Sequence, residues 1–594
     1  MSIGYFDIET NAINDWSTLS DIRVCHCMVI IDEDDKVYRY QSATILEGLS
    51  HLLSFSAIVG HNAIGFDYPA LNRFYGFRHP NVLDTAVMTR CMFPDLFAYD
   101  AVRGTEKGIR GKHSLEAWGK RIGCYKSTHG KTEDWSKWSQ DMEDYCVQDV
   151  KVTKALHEFL LAHKPSQRML DLEHEFALCM RRQQWIGFPF DDAKAEELEK
   201  TLCVRRRELG DELEQLFEPT VLTMKSRFWV TTDGKEFSTK KEALESGYSA
   251  SDITEGDHKT KTIPFNPCSR DQIAERLMAR GWKPTAYEGK RPQINEKTLK
   301  DIGTPEALLL LEYLLVSKRL GQLSEGKYAW RKLVVNGRIH GSVITNGAVS
   351  GRCTHRNPNM AQVPSTRAPY GKECRALFTA PEGKVLVGAD ASQLELRCLA
   401  HYLTPFDNGA YTKELLEGDI HSANQAAAGL PTRDDAKTFI YAFLYGAGDS
   451  KIGAIVGGSA KDGKRLKQSF LEKIPAMGSL TEAVARRVEE NATLTGLDGR
   501  ILPCRSAHSA LNLLLQSAGA VIMKQALVFF CRVAEGYELH ANVHDEAQFS
   551  CDAKDADELG QLFVDSIAKA GEHLNFCCPL DGEYNIGQNW KDTH

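Results

Sequence analysis

The sequence predicts a multidomain protein of mixed α/β and α+β class. At 594 residues the chain is too long for one hydrophobic core, and a prior of about 150 residues per domain suggests about four domains. Residues 1 to 165 mix strand-like runs with amphipathic helical stretches, which is typical of an α/β sheet domain. Helical spacing then dominates, and buried-strand patterns return after residue 384.

Composition narrows the class of protein. Hydrophobic residues make up 42% and charged residues 26% of the chain, which predicts ordinary globular folding. Sixteen cysteines without a CxxC pair, and an N-terminal stretch unlike a signal peptide, predict reduced thiols in a cytosol. The best apolar run, residues 513–530, contains Gln516, Lys524 and Gln525, so we expect no membrane span. A net charge of −8 argues against coating nucleic acid through bulk charge, although a local basic cleft is compatible with it.

The hydrophobic periodicity of the sequence changes twice after the first domain. Residues 166–217 have helical periodicity, and residues 218–264 turn polar, which indicates an insertion with a small strand-rich module. Ser269 is a plausible helix cap, and helices dominate again beyond it. Residues 420–530 are predicted to be mostly helical, and residues 538–552 to form a hairpin.

A first set of carboxylates occurs in the N-terminal region. Asp7 and Glu9 lie two apart on a predicted strand, so their side chains leave the same face. Asp67 stands where a loop enters a helix, and Tyr145 and Asp149 have the i, i+4 spacing of one helix face. Four carboxylates and a tyrosine suit two divalent cations about 4 Å apart. Oxygen ligands favour Mg²⁺ or Mn²⁺. The alternative to a metal site is that these residues are unrelated acids on the solvated surface.

A second set of carboxylates occurs far along the chain. Asp390 ends the apolar run "KVLVGAD", and Asp545 lies in "VHDE" within a run predicted to be a buried strand. Adjacent buried carboxylates require a compensating cation. If both strands belong to one antiparallel sheet, Asp390 and Asp545 converge on a metal pair. A helix cap is the alternative role for Asp390.

The stretch "TRDDAKTFIYAFLYGAG" predicts a helix with an unusual stripe. Arg433, Lys437 and Tyr441 fall at i, i+4 and i+8 on one face. Two aligned cations suit a triphosphate, and the aromatic ring suits a base plane. A plain amphipathic helix would account for the apolar positions alone.

Two family resemblances follow from these motifs. The Asp7, Glu9, Asp67, Tyr145 and Asp149 set resembles the DEDDy family of 3′-5′ exonucleases. The stretches "GADASQLELRCLAHY", "TRDDAKTFIYAFLYGAG" and "ANVHDEAQ" resemble motifs A, B and C of family A DNA polymerases, and the resemblance covers nearly the whole chain. It implies an RNase H-like 3′-5′ exonuclease domain followed by a right-hand polymerase domain of palm, fingers and thumb.

The resemblance also implies domain boundaries. They are 1–165 for the exonuclease, 166–340 for the thumb with an inserted module at 218–264, 341–420 for the first part of the palm, 421–500 for the fingers and 501–594 for the second part of the palm.

The resemblance implies roles for the carboxylates. Asp7, Glu9, Asp67 and Asp149 would hold the exonuclease metals, and Tyr145 would orient the attacking water. In the polymerase site Asp390 and Asp545 would ligate both metals, with the backbone carbonyl of Ala391 completing one of them, and Glu546 would support them from outside. Two Mg²⁺ ions are expected at each site, with Mn²⁺ as a substitute.

Further roles follow for nucleotide and DNA. His421, Arg433 and Lys437 would bind the triphosphate of a dNTP, and Tyr441 would stack at the incoming sugar and base. Glu395 would block a ribose 2′-hydroxyl, so that the product is DNA. The residues expected to contact primer-template DNA are Arg352, Asn512 and Gln516 in the minor groove and His544 at the primer end.

The insertion bears on further partners. A phage member of this family carries a long basic insertion in its thumb that captures host thioredoxin as a processivity clamp. Residues 218–264 form a shorter insertion with seven Lys or Arg against eight Asp or Glu, which argues against thioredoxin. Phe228 and Trp229 could anchor another processivity factor, and a tolerated surface loop is the alternative. A helicase-primase is a further candidate partner, in the cytoplasm of an infected bacterium.

Three other functions are alternatives to DNA synthesis with proofreading. A repair nuclease with a DNA-binding C-terminal half would not need Asp390 and Asp545, and a silent replication subunit would not keep either carboxylate set. A single-subunit RNA polymerase is disfavoured by Glu395 and by the exonuclease motifs.

Overall fold

A computed structural model describes residues 2–11, 19, 21–126 and 134–594. Contacts divide the chain into two compact units, one made of Met1–Asp191 with Leu333–His594 and the other of Asp192–Lys332. The thumb region expected from the sequence, 166–340, is longer at both ends than the second unit.

The N-terminal part of the first unit is a mixed sheet covered by helices. Its strands are β1 (Ile3–Thr10), β2 (Cys25–Ile31), β3 (Val37–Gln41), β4 (Ala57–Gly60) and β5 (Val82–Asp84). Its helices are α1 (Ile45–Leu52), α2 (Asp67–Tyr75), α3 (Thr85–Met92), α4 (Leu96–Val102), α5 (Leu115–Ile122) and α6 (Gln140–Ala162). The strand order is β3-β2-β1-β4-β5, with β1 antiparallel to β2 and parallel to β4. The α/β domain predicted from the alternating pattern is therefore present.

The second unit consists of helices and a long antiparallel ribbon. In the chain it follows a helix, α7 (Gln167–Ile186), and a short strand, β6 (Phe188–Pro189), that belong to the first unit. The elements after them are α8 (Asp192–Leu216), β7 (Thr220–Thr231), β8 (Glu236–Phe237), α9 (Lys240–Glu245), β9 (Ile253–Ile263), α10 (Arg270–Ala279), β10 (Tyr287–Glu288), β11 (Arg291–Pro292), α11 (Glu296–Ile302) and α12 (Pro305–Leu320). Ser269 caps α10 as expected, since its side chain accepts a hydrogen bond from the Gln272 amide.

The insertion at 218–264 is strand-rich, as predicted. β7 pairs with β8 and with β9 in an antiparallel ribbon. The two aromatic residues expected to anchor a partner are partly covered from within: the Lys240 ammonium lies 5.2 Å from the Trp229 ring centroid, and the Lys259 ammonium lies 5.6 Å from that of Phe228.

The C-terminal part of the first unit combines strands with a block of helices. Its elements are β12 (Val334–Val335), β13 (Arg338–Ile339), β14 (Ser342–Ile344), β15 (Thr354–Arg356), α13 (Gly371–Arg375), β16 (Val385–Ala391), α14 (Leu394–Asp407), α15 (Ala410–Glu417), α16 (Ile420–Ala428), α17 (Arg433–Leu444), α18 (Asp449–Ile455), α19 (Ala460–Lys473), α20 (Pro475–Asn491), β17 (Thr493–Thr495), β18 (Ile501–Pro503), α21 (Ala510–Val533), β19 (Glu538–Val543), β20 (Glu546–Cys551), α22 (Ala556–His573) and β21 (Gly582–Gly587).

The second unit is shorter than the expected thumb because the segments on either side of it pack with the first unit. α7 packs against α21 and β19, and β6 pairs with β13, so both flanks of 192–332 belong to the first unit. The helices predicted for 420–530 are present, with the short hairpin of β17 and β18 between them.

The sheet that carries the second carboxylate set is antiparallel, in the order β19-β20-β16-β21. Its buried face packs on α21 and α22 through Phe530, Phe549 and Phe563, with the Phe530 and Phe549 ring centroids 4.9 Å apart. One sequence-based prediction needs correction: His544 and Asp545 are not inside a strand but form the turn between β19 and β20. His544 adopts a φ of 59°, which lets the chain reverse within two residues.

One apolar helix meets the length and composition expected of a membrane span. The segment Ala507–Val533 has a mean hydropathy of 1.6, but 83% of its most apolar window is buried inside the protein. It contains the run that the sequence analysis excluded as a span. Burial of this kind is typical of a core helix, and Lys524 within it is paired with a carboxylate.

Candidate active sites

The first carboxylate set gathers in one cavity of about 760 Å³. Asp7 and Glu9 come from β1, and Asp67 is the first residue of α2. Tyr145 and Asp149 come from one face of α6. All five line this cavity, although they come from three elements that are distant in sequence. The structure therefore brings together every residue of the first set.

A cysteine that the sequence analysis did not single out also contacts this set. The thiol of Cys146, next to Tyr145 on α6, lies 3.7 Å from Asp7 Oδ2. Ligand atoms of Asp7, Glu9 and Cys146 all lie within 4.8 Å of one another, close enough to hold a metal ion. Sixteen cysteines are scattered along the chain, so sequence alone gave no reason to choose this one.

A lysine supplies part of the missing positive charge. Lys126 Nζ lies 2.5 Å from Asp149 Oδ2 and 4.9 Å from the Tyr145 ring centroid. The other oxygen of this carboxylate, Asp149 Oδ1, is buried without a hydrogen-bond partner in the described part of the chain. A buried orphan oxygen among hard carboxylate donors fits Mg²⁺ or Mn²⁺.

Electrostatics indicate that one lysine does not balance this site. Burial, followed by the charges of Asp67, Glu9 and Asp149, holds the pKa of Asp7 well above its usual range. Burial also raises the pKa of Asp67 to about 8, and the pKa of Glu9 is raised by burial and by Asp149. Clustered carboxylates in this state are stabilised by a bound cation.

The second carboxylate set lies where two neighbouring strands end. β16 and β20 are antiparallel, and Asp390 stands opposite Glu546 in the register. The Ala391 amide donates a hydrogen bond of 3.2 Å to the Asp545 carbonyl. Asp390 and Asp545 are thus brought together by one ladder, as predicted. Burial raises the pKa of Asp390 to about 6, with further contributions from Glu583 and Asp545.

Glu546 has its own neutralising partners. Its carboxylate accepts hydrogen bonds from Trp590 Nε1 and from Gln548 Nε2, and Arg375 Nη1 lies 3.6 Å away. His594 Nδ1 lies 3.2 Å from the second oxygen. Burial raises the pKa of Glu546, but His594 and Arg375 outweigh it and the net pKa is lowered. Arg375 is the counter-charge for this buried acid. The sequence identified neither Arg375 nor His594 as a partner of Glu546.

Several predicted binding residues surround Asp545. Arg352, Glu395 and His544 line a small cleft with it. The Tyr445 hydroxyl donates a 2.5 Å hydrogen bond to Glu395, and Arg352 lies 3.4 Å from the same carboxylate. Burial lowers the pKa of His544, and the charge of Arg352 lowers it further.

The predicted phosphate-binding residues lie on α16 and α17. Arg433 is paired with Asp419, at 2.8 Å, whereas Lys437 forms no ion pair with any described residue. Burial lowers the pKa of His421, followed by the charges of Arg433 and Lys437. Tyr441 shares the α17 helix with Arg433 and Lys437, and burial followed by the charges of Glu395 and Asp545 raises its pKa. The predicted helix therefore carries all three residues of the stripe.

The remaining predicted DNA contacts lie on α21. Gln516 Nε2 donates a 2.9 Å hydrogen bond to Asn512 Oδ1, and both side chains are half-buried. Gln516 stands about one turn, and Asn512 about two turns, before Gly519 and Ala520, which line the cleft beside Asp545.

A buried ionic cluster joins the two halves of the first unit. Glu173 on α7 accepts hydrogen bonds from Lys524 on α21 at 2.7 Å and from Arg500 at 2.5 Å. Asp498 binds Arg500 at 2.6 Å, and Asn346 donates to Glu173 at 2.7 Å. These charges were missed because their pairing spans more than 300 residues of sequence.

Comparisons with known proteins identify the family of this chain. The family described as "DNA polymerase family A" matches residues 237–592. The chain is 37% identical to the DNA-directed DNA polymerase of Escherichia phage T7 and 36% identical to that of Enterobacteria phage T3, with 99% of each chain covered. The POL domain of Pol1 from M. smegmatis, solved with DNA primer-template and dNTP, shares the fold with a TM-score of 0.75 at 16% identity, covering 99% of this chain and 96% of that one. The chain belongs to DNA polymerase family A.

Proposed function

We propose that this chain is a template-directed DNA polymerase that replicates a phage genome and removes mispaired 3′ ends with a separate 3′-5′ exonuclease site. The observation that carries the proposal is the presence of two distinct carboxylate groups, one in the cavity of Asp7 and Asp149 and one where the strand of Asp390 meets the turn that contains Asp545. The phage T7 and T3 relatives, named as DNA-directed DNA polymerases, support the synthetic activity.

In the polymerase site each group has a distinct task. Asp390, Asp545 and the Ala391 carbonyl would hold two Mg²⁺ ions, whose charge stabilises the attacking and leaving oxygens of phosphoryl transfer. Lys437 has a free ammonium for the triphosphate, and Arg433 can join it by exchanging Asp419 for phosphate. Glu395, held by Tyr445 and Arg352, occupies a fixed position from which a carboxylate can exclude a ribose 2′-hydroxyl.

Primer-template DNA would occupy the surface beside these groups. Arg352 and His544 adjoin Asp545, and the Asn512 and Gln516 amides can hydrogen-bond acceptors that all base pairs present in the minor groove. The substrates are accordingly DNA and the four dNTPs.

In the exonuclease site the chain supplies ligands and a water-orienting group. Asp7, Glu9, Asp67 and Asp149 would hold the second pair of Mg²⁺ or Mn²⁺ ions, and the Tyr145 hydroxyl can orient a water. Burial, followed by Asp149, raises the Tyr145 pKa to about 12, so the phenol stays protonated and acts as a hydrogen-bond donor.

The ribbon of 218–264 is the candidate site for a processivity factor. Its outer surface exposes Val221, Leu222 and Met224, and its charge lacks the basic excess expected for thioredoxin binding. A pull-down comparing the intact chain with one lacking 218–264 tests this assignment, and a helicase-primase can be probed in the same assay.

The central experiment separates the two sites by substitution. Asp545→Asn should reduce primer extension by at least about 10³-fold and leave degradation of single-stranded DNA intact. Asp7→Ala combined with Glu9→Ala should do the reverse. Asp565→Asn, an exposed acid on α22, is the matched control and should alter neither activity. Loss of both activities from either site variant would contradict two independent sites.

A further inference from the structure

Two arginines in the exonuclease cavity form no ion pair with any residue that the structure describes. Arg90 on α3 and Arg356 at the end of β15 both line the cavity that contains Asp7 and Asp149. In the described part of the chain, neither guanidinium takes part in a hydrogen bond or an ion pair. Arg90 is half-buried and Arg356 is exposed. Each therefore offers its full set of donors to the cavity.

The two guanidiniums line one cavity and have the same charge. Burial lowers the pKa of Arg90, and the charge of Arg356 is the next cause. Arginines are ordinarily paired when they are partly buried, and here the cavity contains carboxylates that do not reach them. A phosphate between two guanidiniums would satisfy both, because the planar donor fork matches phosphate oxygens.

The neighbouring histidines do not supply this charge. His61 Nδ1 lies 2.9 Å from the Thr85 hydroxyl, and His113 Nδ1 lies 3.2 Å from that of Thr89. Burial lowers the pKa of each histidine to about 3, so both rings are neutral. Lys126, the other cation of the cavity, is engaged by Asp149. Among the described residues that line this cavity, the free positive charge therefore comes from Arg90 and Arg356.

Arg356 reaches this cavity from the polymerase half of the chain. It stands four residues after Arg352, which lines the cleft of Asp545 and Glu395. Four residues span at most about 14 Å. One short segment therefore presents an arginine to each carboxylate site.

We propose that Arg90 and Arg356 form a binding site for an internal backbone phosphate of single-stranded DNA whose 3′-terminal linkage lies among the first carboxylate set. The proposal rests on the exonuclease function proposed above. Arg356 acts as a positioning residue, and the editing site is incomplete without this segment of the polymerase half.

The test uses the full chain and oligonucleotides in which one internal phosphodiester near the 3′ end is replaced by a neutral methylphosphonate. Arg356→Ala should lower kcat/KM for the natural oligonucleotide by about tenfold or more, as expected for losing a charge-assisted contact. On the oligonucleotide that lacks charge at the contacted phosphate, the same substitution should have little effect. Arg356→Lys should recover part of the activity, and Arg90→Ala should show the same linkage dependence.

Controls separate this proposal from the function on which it rests. Arg78→Ala removes an exposed arginine of the N-terminal half that does not line the cavity, and it should cleave all oligonucleotides as the unmodified chain does. If the unmodified chain does not degrade DNA, the exonuclease function fails. The arginine pair is then judged by fluorescence anisotropy of the same oligonucleotides without metal. Equal losses from Arg356→Ala on natural and neutral linkages, in either assay, would overturn the phosphate site.

Discussion

The two carboxylate groups of this chain differ in how their negative charge is balanced. The first carboxylate set lies within a cavity, where Lys126 pairs with Asp149 and the other acids have raised pKa values. The second set stands at the end of an open hairpin, where Asp390 and Asp545 form no ion pair with any described residue. Glu546, one residue away, is buried and has an arginine of its own.

The contrast teaches how to distinguish structural acids from acids that await a cation. Glu546 is balanced internally and has a lowered pKa, which identifies it as part of the scaffold. Asp390, Asp7 and Asp67 form no ion pair with any described residue, and their pKa values are raised. Unbalanced charge, more than acidity itself, therefore indicates where metal ions are expected.

The largest predicted effect follows from removing the arginine that neutralises the buried Glu546 carboxylate. Arg375→Met should lower the free energy of unfolding by about 3 kcal/mol, because Arg375 and Glu546 are 5% and 6% exposed and the acid would lose its cation. Urea unfolding followed by pulse proteolysis measures this difference. The exposed Arg367, substituted in the same way, should change stability by less than about 0.5 kcal/mol. Equal effects of the two substitutions would remove the distinction between Glu546 and its neighbours.

An intermediate effect is predicted in the cavity of Asp7 and Asp149. Lys126→Met removes a positive charge beside Asp149, so Mn²⁺ should bind about tenfold more tightly near neutral pH. Calorimetric titration of the Asp545→Asn background isolates this site from the polymerase metals. Weaker Mn²⁺ binding would show that Lys126 organises the ligands and does not compete with the metal.

The smallest effect concerns Asp390 and has the opposite sign to that of Arg375. The pKa of Asp390 is raised from an ordinary 3.8 to about 6, so its ionisation destabilises the folded chain as pH rises through that interval. Without metal, Asp390→Asn should therefore raise the melting temperature at neutral pH and not at a pH below 4. A pH-independent change would assign the effect to packing.

The sequence predicted those parts of the sites that depend on local spacing. Asp7 with Glu9, and Tyr145 with Asp149, share faces set by strand and helix periods. The pairing of the Asp390 strand with the Asp545 hairpin was also predicted, and the DNA polymerase family resemblance is confirmed. The roles of the individual residues remain predictions.

What could not be predicted depends on contacts between distant segments. No sequence pattern marks Lys126, Arg90 and Arg356, because their positions in the cavity depend on how α3, β15 and the segment after α5 pack. The hairpin of residues 538–552 was predicted, but the position of its turn at His544 was not, for a different reason. A histidine with positive φ is uncommon, so "HD" does not resemble the usual two-residue turn.

The Glu173 cluster limits how this enzyme can be divided. A fragment ending at Asp191 would keep the acid while discarding both Lys524 and Arg500, and the complementary fragment would keep two cations without their anion. Excising the N-terminal portion as an independent module, or grafting it onto another polymerase, would therefore break these buried ion pairs. A workable chimera has to exchange α7 together with α21 and the β17–β18 hairpin.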